Sequence, residues 1–337
     1  MLALKIAAAT VILVALLPTL FRVGSVLLST PLDPVVGTVE RAEPAELRRR
    51  LTAKSCLVIG GTKGIGRAIA ITLAGAGASV TVVGRTGGEG VVRSMEDIAP
   101  NNTQFAFHAA DLSTVKGSME LAAKIRERGI AIDHLVFTVG VWPNFAEPRS
   151  ADGIEKVIAL DLLARFVIID ELKELLRPGA RVMSVLASTV NLPFPALPVV
   201  RQIVSGEKKD GGLVQILSTA AAATDAMLHT LARQSPEVRF IGMHPGVLQT
   251  NLGASTFGSL NTIFGWLTTP IALSEEECGA VHVHALTADN AERAGREGKP
   301  SFFNHWLEGR EATQLAKDRE FGEWVSAWLV ETKARLQ

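Results

Sequence analysis

A glycine-rich loop between residues 60 and 66 has the residue types and spacing of a phosphate-binding turn. The loop reads GGTKGIG, follows the apolar run SCLVI and precedes RAIAITLAGAG, which is expected to be a helix. Glycines allow the tight turn and the close approach of backbone amides to an anion, and the positive end of a helix attracts the same anion. The pattern therefore predicts that the pyrophosphate of a dinucleotide binds here.

Two cations stand where the chain would meet the ribose of such a dinucleotide. The second apolar run ends in Val83-Gly84-Arg85, and Lys63 lies inside the glycine loop. A carboxylate at the end of that run would bind the free 2′-hydroxyl of NAD(H), whereas an arginine offers a cation for the 2′-phosphate of NADP(H). We therefore expect NADP(H) as the cofactor, with Arg85 and Lys63 as ligands of the 2′-phosphate.

The chain contains no tyrosine, and every mechanism that uses a phenol is therefore excluded. No metal site is indicated, because His282 and His284 are two residues apart on a predicted helix and point to different sides. His229 is predicted on the outer face of its helix. Since 34 basic residues balance 34 acidic ones, the charge gives no reason to expect nucleic acid as a partner.

The loop and its neighbours are positioned by an alternation of apolar runs and helical segments. From Lys54 onward, short apolar runs alternate with helices, including a long amphipathic helix from about Asp152 to Leu176. Such strands, separated by helices, form parallel sheets with crossover helices. The predicted fold is α/β, a Rossmann-like doubly wound parallel sheet in a single domain over residues 54–337. Its six strands are expected within residues 55–60, 78–84, 104–110, 132–140, 181–187 and 238–244.

The first 28 residues differ in composition from the rest. Only Arg22 is charged between Ile6 and Leu28, and a helix over this stretch would be about 30 Å long, enough to cross a bilayer. The prediction is a membrane anchor or a cleaved targeting segment at residues 1–28, followed by a linker and lead-in helix at residues 29–53. Localisation is expected at a mitochondrial or endoplasmic reticulum membrane, and the composition does not choose between the two.

A second stretch, residues 251–273, carries no charge. Two kinds of interpretation stay open: a buried loop and helix, or a functional segment that is either a lid over a lipophilic pocket or a patch that dips into the membrane. Residues 6–28 and 251–273 are therefore the expected membrane contacts, and both offer surfaces for protein partners in a membrane complex.

With these features in place, residues 54–337 resemble the short-chain dehydrogenase/reductase superfamily. Asp111-Leu112 matches the pair that meets the adenine, and Thr138-Val139-Gly140 stands at the Asn-Ala-Gly motif. His244-Pro245-Gly246 with Thr250 resembles the element that closes on the nicotinamide and phosphates. The resemblance and the glycine loop together imply these cofactor-binding residues: Gly60, Thr62, Lys63, Gly64, Ile65, Gly66, Arg85, Asp111, Leu112, Val139, Gly140, Pro245, Gly246 and Thr250.

The catalytic residues of this superfamily are replaced in this chain. The family uses a tyrosine for proton transfer, a lysine one helical turn later, a serine at the end of the fifth strand and an asparagine on the preceding helix. Leu217 stands at the tyrosine and Ala221 at the lysine, while Ala187 stands at the serine and Asp161 at the asparagine. Leucine and alanine cannot ionise, whereas Asp161 would act as an acid if burial raised its pKa.

Two functions stay open. The first is a membrane-anchored NADP(H)-binding protein with a degenerate catalytic tetrad, acting as a pseudoenzyme or as an accessory or structural subunit of a membrane-associated assembly. The second is an NADPH-dependent oxidoreductase of a lipophilic carbonyl or alcohol, with the proton supplied by water, by the substrate or by Asp161. Oxidation of NADPH by the purified protein would establish the second and exclude the first.

Overall fold

Strands and helices alternate along the chain. The computed structural model describes residues 37–38, 41–101, 104–186, 195–208, 211–245, 274–288 and 298–337. The strands are β1 (Gly37–Thr38), β2 (Ser55–Ile59), β3 (Ser79–Gly84), β4 (Phe105–Ala109), β5 (Ile132–Phe137), β6 (Leu176–Val185), β7 (Arg239–Met243), β8 (Ser301–Phe303) and β9 (Glu308–Arg310). The helices are α1 (Pro44–Leu51), α2 (Gly64–Gly75), α3 (Gly88–Ile98), α4 (Val115–Glu127), α5 (Lys156–Ile158), α6 (Ala164–Leu172), α7 (Leu197–Ser205), α8 (Leu213–Gln234), α9 (Glu275–Thr287), α10 (Gln314–Lys317) and α11 (Arg319–Leu336).

The strands form one sheet in the order β1-β9-β8-β7-β6-β5-β2-β3-β4. Strands β2 to β8 are parallel, whereas β9 and β1 add antiparallel pairs at one edge. The chain moves outward from β2 to β4 and then returns to β5 on the other side of β2. The strand order therefore reverses between β2 and β5, and ligands of doubly wound sheets bind at such a reversal, beyond the carboxyl ends of the strands.

All six predicted strands are present as parallel members of this sheet, which confirms the Rossmann-like fold. β5 is buried over its whole length, as expected for a parallel strand covered by helices on both faces. The sheet also contains β8, β9 and β1, which the sequence analysis missed. Runs of two or three residues are too short to display the period of a strand.

Helices cover both faces of the sheet and enclose two apolar cores. One core includes side chains from α4, α6, α8 and α11, for example Leu121, Ile168 and Phe321. The other includes side chains from α1, α2, α3 and α9, for example Leu73 and Val281. The lead-in helix predicted within residues 29–53 is α1, and it belongs to the second core.

The C-terminal helix α11 packs on α8 through a stripe of buried residues four positions apart, Phe321, Val325 and Leu329. Lys333 continues this stripe, and its ammonium group bonds to the carboxylates of Asp170 at 2.5 Å and Glu171 at 2.6 Å in α6. This ion cluster raises the pKa of Lys333, despite the opposing effect of burial, and lowers those of both carboxyls. Ion pairs therefore connect α11 to α6 in addition to its apolar packing on α8.

The helix predicted from Asp152 begins later than expected. Asp152 lies in a turn, where its carboxylate accepts a hydrogen bond from the backbone amide of Val115 at 2.7 Å. The helix begins at Lys156, and the carboxylate of Glu155 caps its first turn. Asp152 thus fixes the start of α4 and does not begin a helix of its own.

The same segment is buried on all sides, so its predicted amphipathic character is wrong. Nearly every residue from 157 to 169 is buried, because α4 and α8 pack on it together with the sheet. A π-helical turn (Ala159–Leu163) lies between α5 and α6. Such turns often occur at functional sites, and this one contains Asp161.

None of the helices in the described ranges is long and apolar enough to cross a membrane. The apolar residues 6–28 and the uncharged residues 251–273 lie outside those ranges. The membrane contacts expected from them therefore stay predictions.

Candidate functional site

The glycine loop connects β2 to α2 at the carboxyl edge of the sheet. Gly60 has a φ angle of +91° and Gly64 one of +51°, values that favour glycine. The amides of Gly60 and Gly61 both donate to the carbonyl of Val83 in β3, which holds the turn against the neighbouring strand. Lys63 is the N-cap residue of α2, and an ammonium cannot accept a hydrogen bond from the first-turn amides. Those amides are therefore suited to an anion.

The last glycine of the loop, Gly66, is required by close packing at the strand reversal. A Cβ atom on Gly66 would lie 2.3 Å from the carbonyl oxygen of Gly60 and 2.3 Å from Thr138 Oγ1. On Gly60 it would lie 2.6 Å from the amide nitrogen of Val139. The amides of Thr138 and Val139 donate to the carbonyl of Ile59. The loop after β5 is thus locked against the glycine turn.

The remaining predicted adenosine-side residues also lie at this edge. Thr62 packs over the end of β3, since a Cβ on Gly84 would approach its side chain to 2.5 Å. Lys63 and Arg85 are both exposed, one inside the glycine loop and one directly after β3. Asp111 is exposed after β4 and accepts a hydrogen bond from Ser113, whereas Leu112 is buried. Ile65 is half-buried in the first turn of α2.

Asp161 lies inside the protein, next to the loop after β5. A Cβ on Gly140 would lie 2.5 Å from Asp161 Oδ1, so the carboxyl directly faces that glycine. Only 5% of the Asp161 side chain is exposed. Burial raises the pKa of Asp161 to about 7, although the nearby Arg165 acts in the opposite direction. The condition that the sequence analysis set for an acidic role of Asp161 is therefore met.

Arg165 is the main partner of Asp161 and was missed by the sequence analysis. Its guanidinium is 1% exposed and lies 3.5 Å from Asp161 Oδ1. It donates to the carbonyl of Val139 at 2.8 Å, to that of Val185 at 3.4 Å and to the hydroxyl of Ser184. Arg165 thus joins the ends of β5 and β6. An aspartate and an arginine four residues apart in an otherwise apolar helix were the signal that could have revealed the pair.

The two positions that replace the catalytic tyrosine and lysine lie near the start of α8. Leu217 is half-buried against the first core, and Ala221 is buried. The hydroxyl of Ser218 donates to the carbonyl of Val214 within the same helix. Thr224 donates to the backbone carbonyl of Asp161 at 2.9 Å and so ties α8 to the π-helical turn.

Several predicted site residues lie outside the described ranges, namely Ala187, Gly246 and Thr250. Pro245 is described, and it follows His244, whose amide donates to the carbonyl of Phe303 at the end of β8. His244 and His305 have ring centroids 6.3 Å apart, and the sequence analysis did not bring these two residues together. The missing signal was β8, which places His305 beside β7.

The other histidines behave partly as expected. His282 bonds to the carbonyl of Cys278 and His284 accepts from the amide of Ala42, so their rings do point apart. His229 is half-buried, and its ring centroid lies 5.5 Å from that of Phe302 in β8 with the rings tilted by 39°, so its predicted outer-face position is wrong. Burial lowers the pKa of His229 to about 4. The described residues contain no group of three or more side chains placed to hold a metal ion.

Comparisons with known proteins agree with this geometry. The family model described as short chain dehydrogenase matches residues 54–199. An uncharacterized oxidoreductase of Saccharomyces cerevisiae is 28% identical over 225 residues, which cover 65% of this chain and 70% of the yeast protein. The rhamnolipids biosynthesis 3-oxoacyl-[acyl-carrier-protein] reductase of Pseudomonas aeruginosa is 33% identical over 137 residues, or 39% of this chain and 50% of that protein.

Solved structures share the fold at lower identity. The Pseudomonas aeruginosa RhlG/NADP active-site complex superposes with a TM-score of 0.56 at 22% sequence identity. The superposition covers 76% of this chain and 96% of that one. The likeness therefore concerns the arrangement of strands and helices.

Proposed function

The chain belongs to the short-chain dehydrogenase/reductase superfamily, and from that premise we propose that it binds NADP(H) without tyrosine-based catalysis. The observation that supports cofactor binding is the cradle at the strand reversal, where Gly60 and Gly66 leave no room for a Cβ atom. Without Cβ atoms at these positions, backbone amides at the strand reversal can approach the pyrophosphate of a dinucleotide. A solved structure of the same fold contains NADP.

Each part of the dinucleotide has residues suited to hold it. The amides at the start of α2 would hold the pyrophosphate, and Lys63 with Arg85 would hold a 2′-phosphate. Asp111 and Leu112 would meet the adenine, while Val139 and Gly140 would support the nicotinamide half. Pro245, Gly246 and Thr250 would close over the nicotinamide and phosphates. When bound, the reduced form supplies a hydride.

Arg85 is the residue on which the choice of NADP(H) over NAD(H) rests. An Arg85→Ala variant is expected to lower the affinity for NADPH about tenfold or more, because a charge-assisted contact to the 2′-phosphate is lost. The affinity for NADH should stay nearly unchanged, since its ribose lacks that phosphate. Titration followed by tryptophan fluorescence measures both values, with Arg93→Ala as a control on α3. Equal losses for the two dinucleotides would contradict this role of Arg85.

The absence of any tyrosine supports a role that does not depend on the usual proton transfer. We propose that the protein acts as a cofactor-binding accessory or structural subunit of a membrane-associated assembly. Residues 6–28 would supply the attachment, and residues 251–273 a second apolar contact. Retention of the full-length chain in membranes after alkaline carbonate washing tests the attachment, and release into the wash would argue against it.

A second function is favoured by one specific observation, the buried carboxyl of Asp161 that faces Gly140 in the loop after β5. Since burial raises the pKa of Asp161 to about 7, a sizeable fraction of molecules hold a proton there at neutral pH. Asp161 would then supply the proton taken up by a carbonyl oxygen during NADPH-dependent reduction. The relatives include a 3-oxoacyl reductase, so a carbonyl on an apolar chain is the substrate class to try.

NADPH oxidation separates the two functions. If the protein is a reductase that uses Asp161, purified protein should oxidise NADPH in step with loss of an aliphatic ketone or 3-oxoacyl thioester. An Asp161→Asn variant should then be slower by about 10² to 10⁴-fold, the usual contribution of a general acid. NADPH binding should be retained in this variant. No turnover across the panel would favour the accessory role.

A further inference from the structure

The groups beneath the ends of β5 and β6 form a buried charge cluster. Asp161 and Asp225 are 3% and 0% exposed, and Arg165 lies among them at 1%. Both carboxyls act to raise the pKa of Arg165 against the effect of its burial. The guanidinium of Arg165 lies 3.5 Å from the Asp161 carboxylate, and the carboxyl of Asp225 also acts on it electrostatically. In such surroundings, one proton more or less changes the local potential far more than it would at the surface.

This cluster lies under one particular half of the proposed dinucleotide cleft. In a doubly wound sheet, each side of the strand reversal takes one mononucleotide half. The glycine loop, β3 and β4 make up the adenosine side, so β5, β6 and β7 lie on the nicotinamide side. Arg165 donates hydrogen bonds to the carbonyls of Val139, just after β5, and Val185, at the end of β6. Asp161 faces Gly140 in the same loop.

The two redox forms of the cofactor differ in charge at this half alone. The oxidised nicotinamide ring carries a positive charge and the reduced ring is neutral, whereas the phosphates are common to both forms. Ionisation of Asp161 adds one negative charge beneath the ring. It should strengthen binding of the oxidised form and leave the reduced form nearly unaffected.

We propose that the buried Asp161–Arg165 pair makes the preference of this cleft for reduced over oxidised dinucleotide depend on the protonation of Asp161. The proposal rests on the proposed binding of NADP(H). When Asp161 is protonated, the positive charge of Arg165 is less neutralised, and binding of the cationic ring is disfavoured. When Asp161 is ionised, its negative charge balances that of Arg165, and the cationic ring binds more strongly. By linkage, binding of the oxidised form should expel a proton from Asp161.

The groups that face Asp161 are consistent with titration near neutral pH. Burial raises its pKa to about 7, Arg165 lowers it, and Glu155 at the start of α5 raises it further. Asp225 of α8 acts electrostatically on Arg165 and raises its pKa. Two side-chain hydroxyls also bond to this segment, Ser184 of β6 to Arg165 and Thr224 of α8 to the Asp161 carbonyl. Hydroxyls do not titrate in this range.

The test compares the dissociation constants of NADPH and NADP⁺ for the full-length protein between about pH 6 and pH 8, a range that spans the Asp161 transition. The ratio of the NADP⁺ to the NADPH constant should fall about five- to tenfold as the pH rises, the effect of one unit charge at short range. Titration of the 2′-phosphate occurs in both forms and cancels in the ratio. Calorimetry in two buffers should also detect proton release with NADP⁺ and little with NADPH.

Two variants identify the group responsible. Asp161→Asn should give a ratio that no longer varies with pH, whereas Glu174→Gln, an exposed carboxyl after α6, should keep the wild-type dependence. If Asp161→Asn does not fold, proton release by the wild-type protein decides alone. A pH-independent ratio in the wild type, or an unchanged dependence in Asp161→Asn, would overturn this inference while cofactor binding stands. Failure of both dinucleotides to bind would instead overturn the proposed function.

Discussion

A Gly64→Asp variant is expected to bind NADPH at least about a hundredfold more weakly than the wild type, a loss of about 2.7 kcal/mol. Gly64 begins α2 with a φ angle of +51°, so a side chain there stands at the proposed pyrophosphate position. An aspartate places a negative charge where the phosphates need amide donors and a positive helix end. Titration of the purified variant with NADPH measures the loss.

The Gly64→Asp change should lower the stability of the fold less than it lowers the affinity for NADPH. Aspartate is among the residues that enter the left-handed region most readily, and a carboxylate at a helix N-terminus is favourable for the helix. Gly64→Asn is the matched control, because asparagine has the same shape without the charge. We expect it to lose clearly less affinity than Gly64→Asp. Equal affinities for the aspartate variant and the wild type would show that the phosphates bind elsewhere.

Replacing Arg165 with methionine is expected to lower the free energy of unfolding by about 3–5 kcal/mol, the usual cost of removing one partner from a buried ion pair. The variant leaves Asp161 without its cation and removes the donor from the carbonyls of Val139 and Val185. Arg319→Met serves as the control, because Arg319 is exposed and its ion pair is with the exposed Glu323. Chemical denaturation measures both variants.

The pH dependence of the Arg165→Met variant gives a further check on the pair. The pKa of Asp161 is raised in the folded protein, and loss of the neighbouring cation should raise it more. A carboxyl with a raised folded pKa loses stabilisation as the pH rises through that value. The variant should therefore be less stable at pH 8 than at pH 6, and an added Asp161→Asn change should remove this dependence. A cost below about 1 kcal/mol for Arg165→Met would mean that the pair is not a buried unit.

The sheet could be predicted from the sequence because its central strands are apolar runs between helices. Parallel strands covered on both faces need such runs, and the segments SCLVI and SVTVVG meet that need without ambiguity. The glycine loop could be predicted for a similar reason, since its conformation depends on residues within a few positions of one another. Local chemistry was sufficient for both features.

The surroundings of Asp161 could not be predicted in the same way. The spacing of Asp161 and Arg165 is visible in the sequence, but a solvated pair on a helix surface has the same spacing. What buries the pair is the packing of α8 and the neighbouring strands on the segment around the π-helical turn. These contacts join residues between 19 and 63 positions apart, and no local pattern records them. The half-buried position of His229 was missed for the same reason, because it depends on β8.

The most direct test of the account is a titration of the full-length protein with NADPH, followed by tryptophan fluorescence and by the melting temperature. Saturable binding is expected, stronger for NADPH than for NADH and weakened at least about a hundredfold by Gly64→Asp. No change in either signal with NADPH or NADH, even at about millimolar concentration (a free energy near −4 kcal/mol), would contradict it. The glycine loop would then be a structural turn and the chain a scaffold without a cofactor.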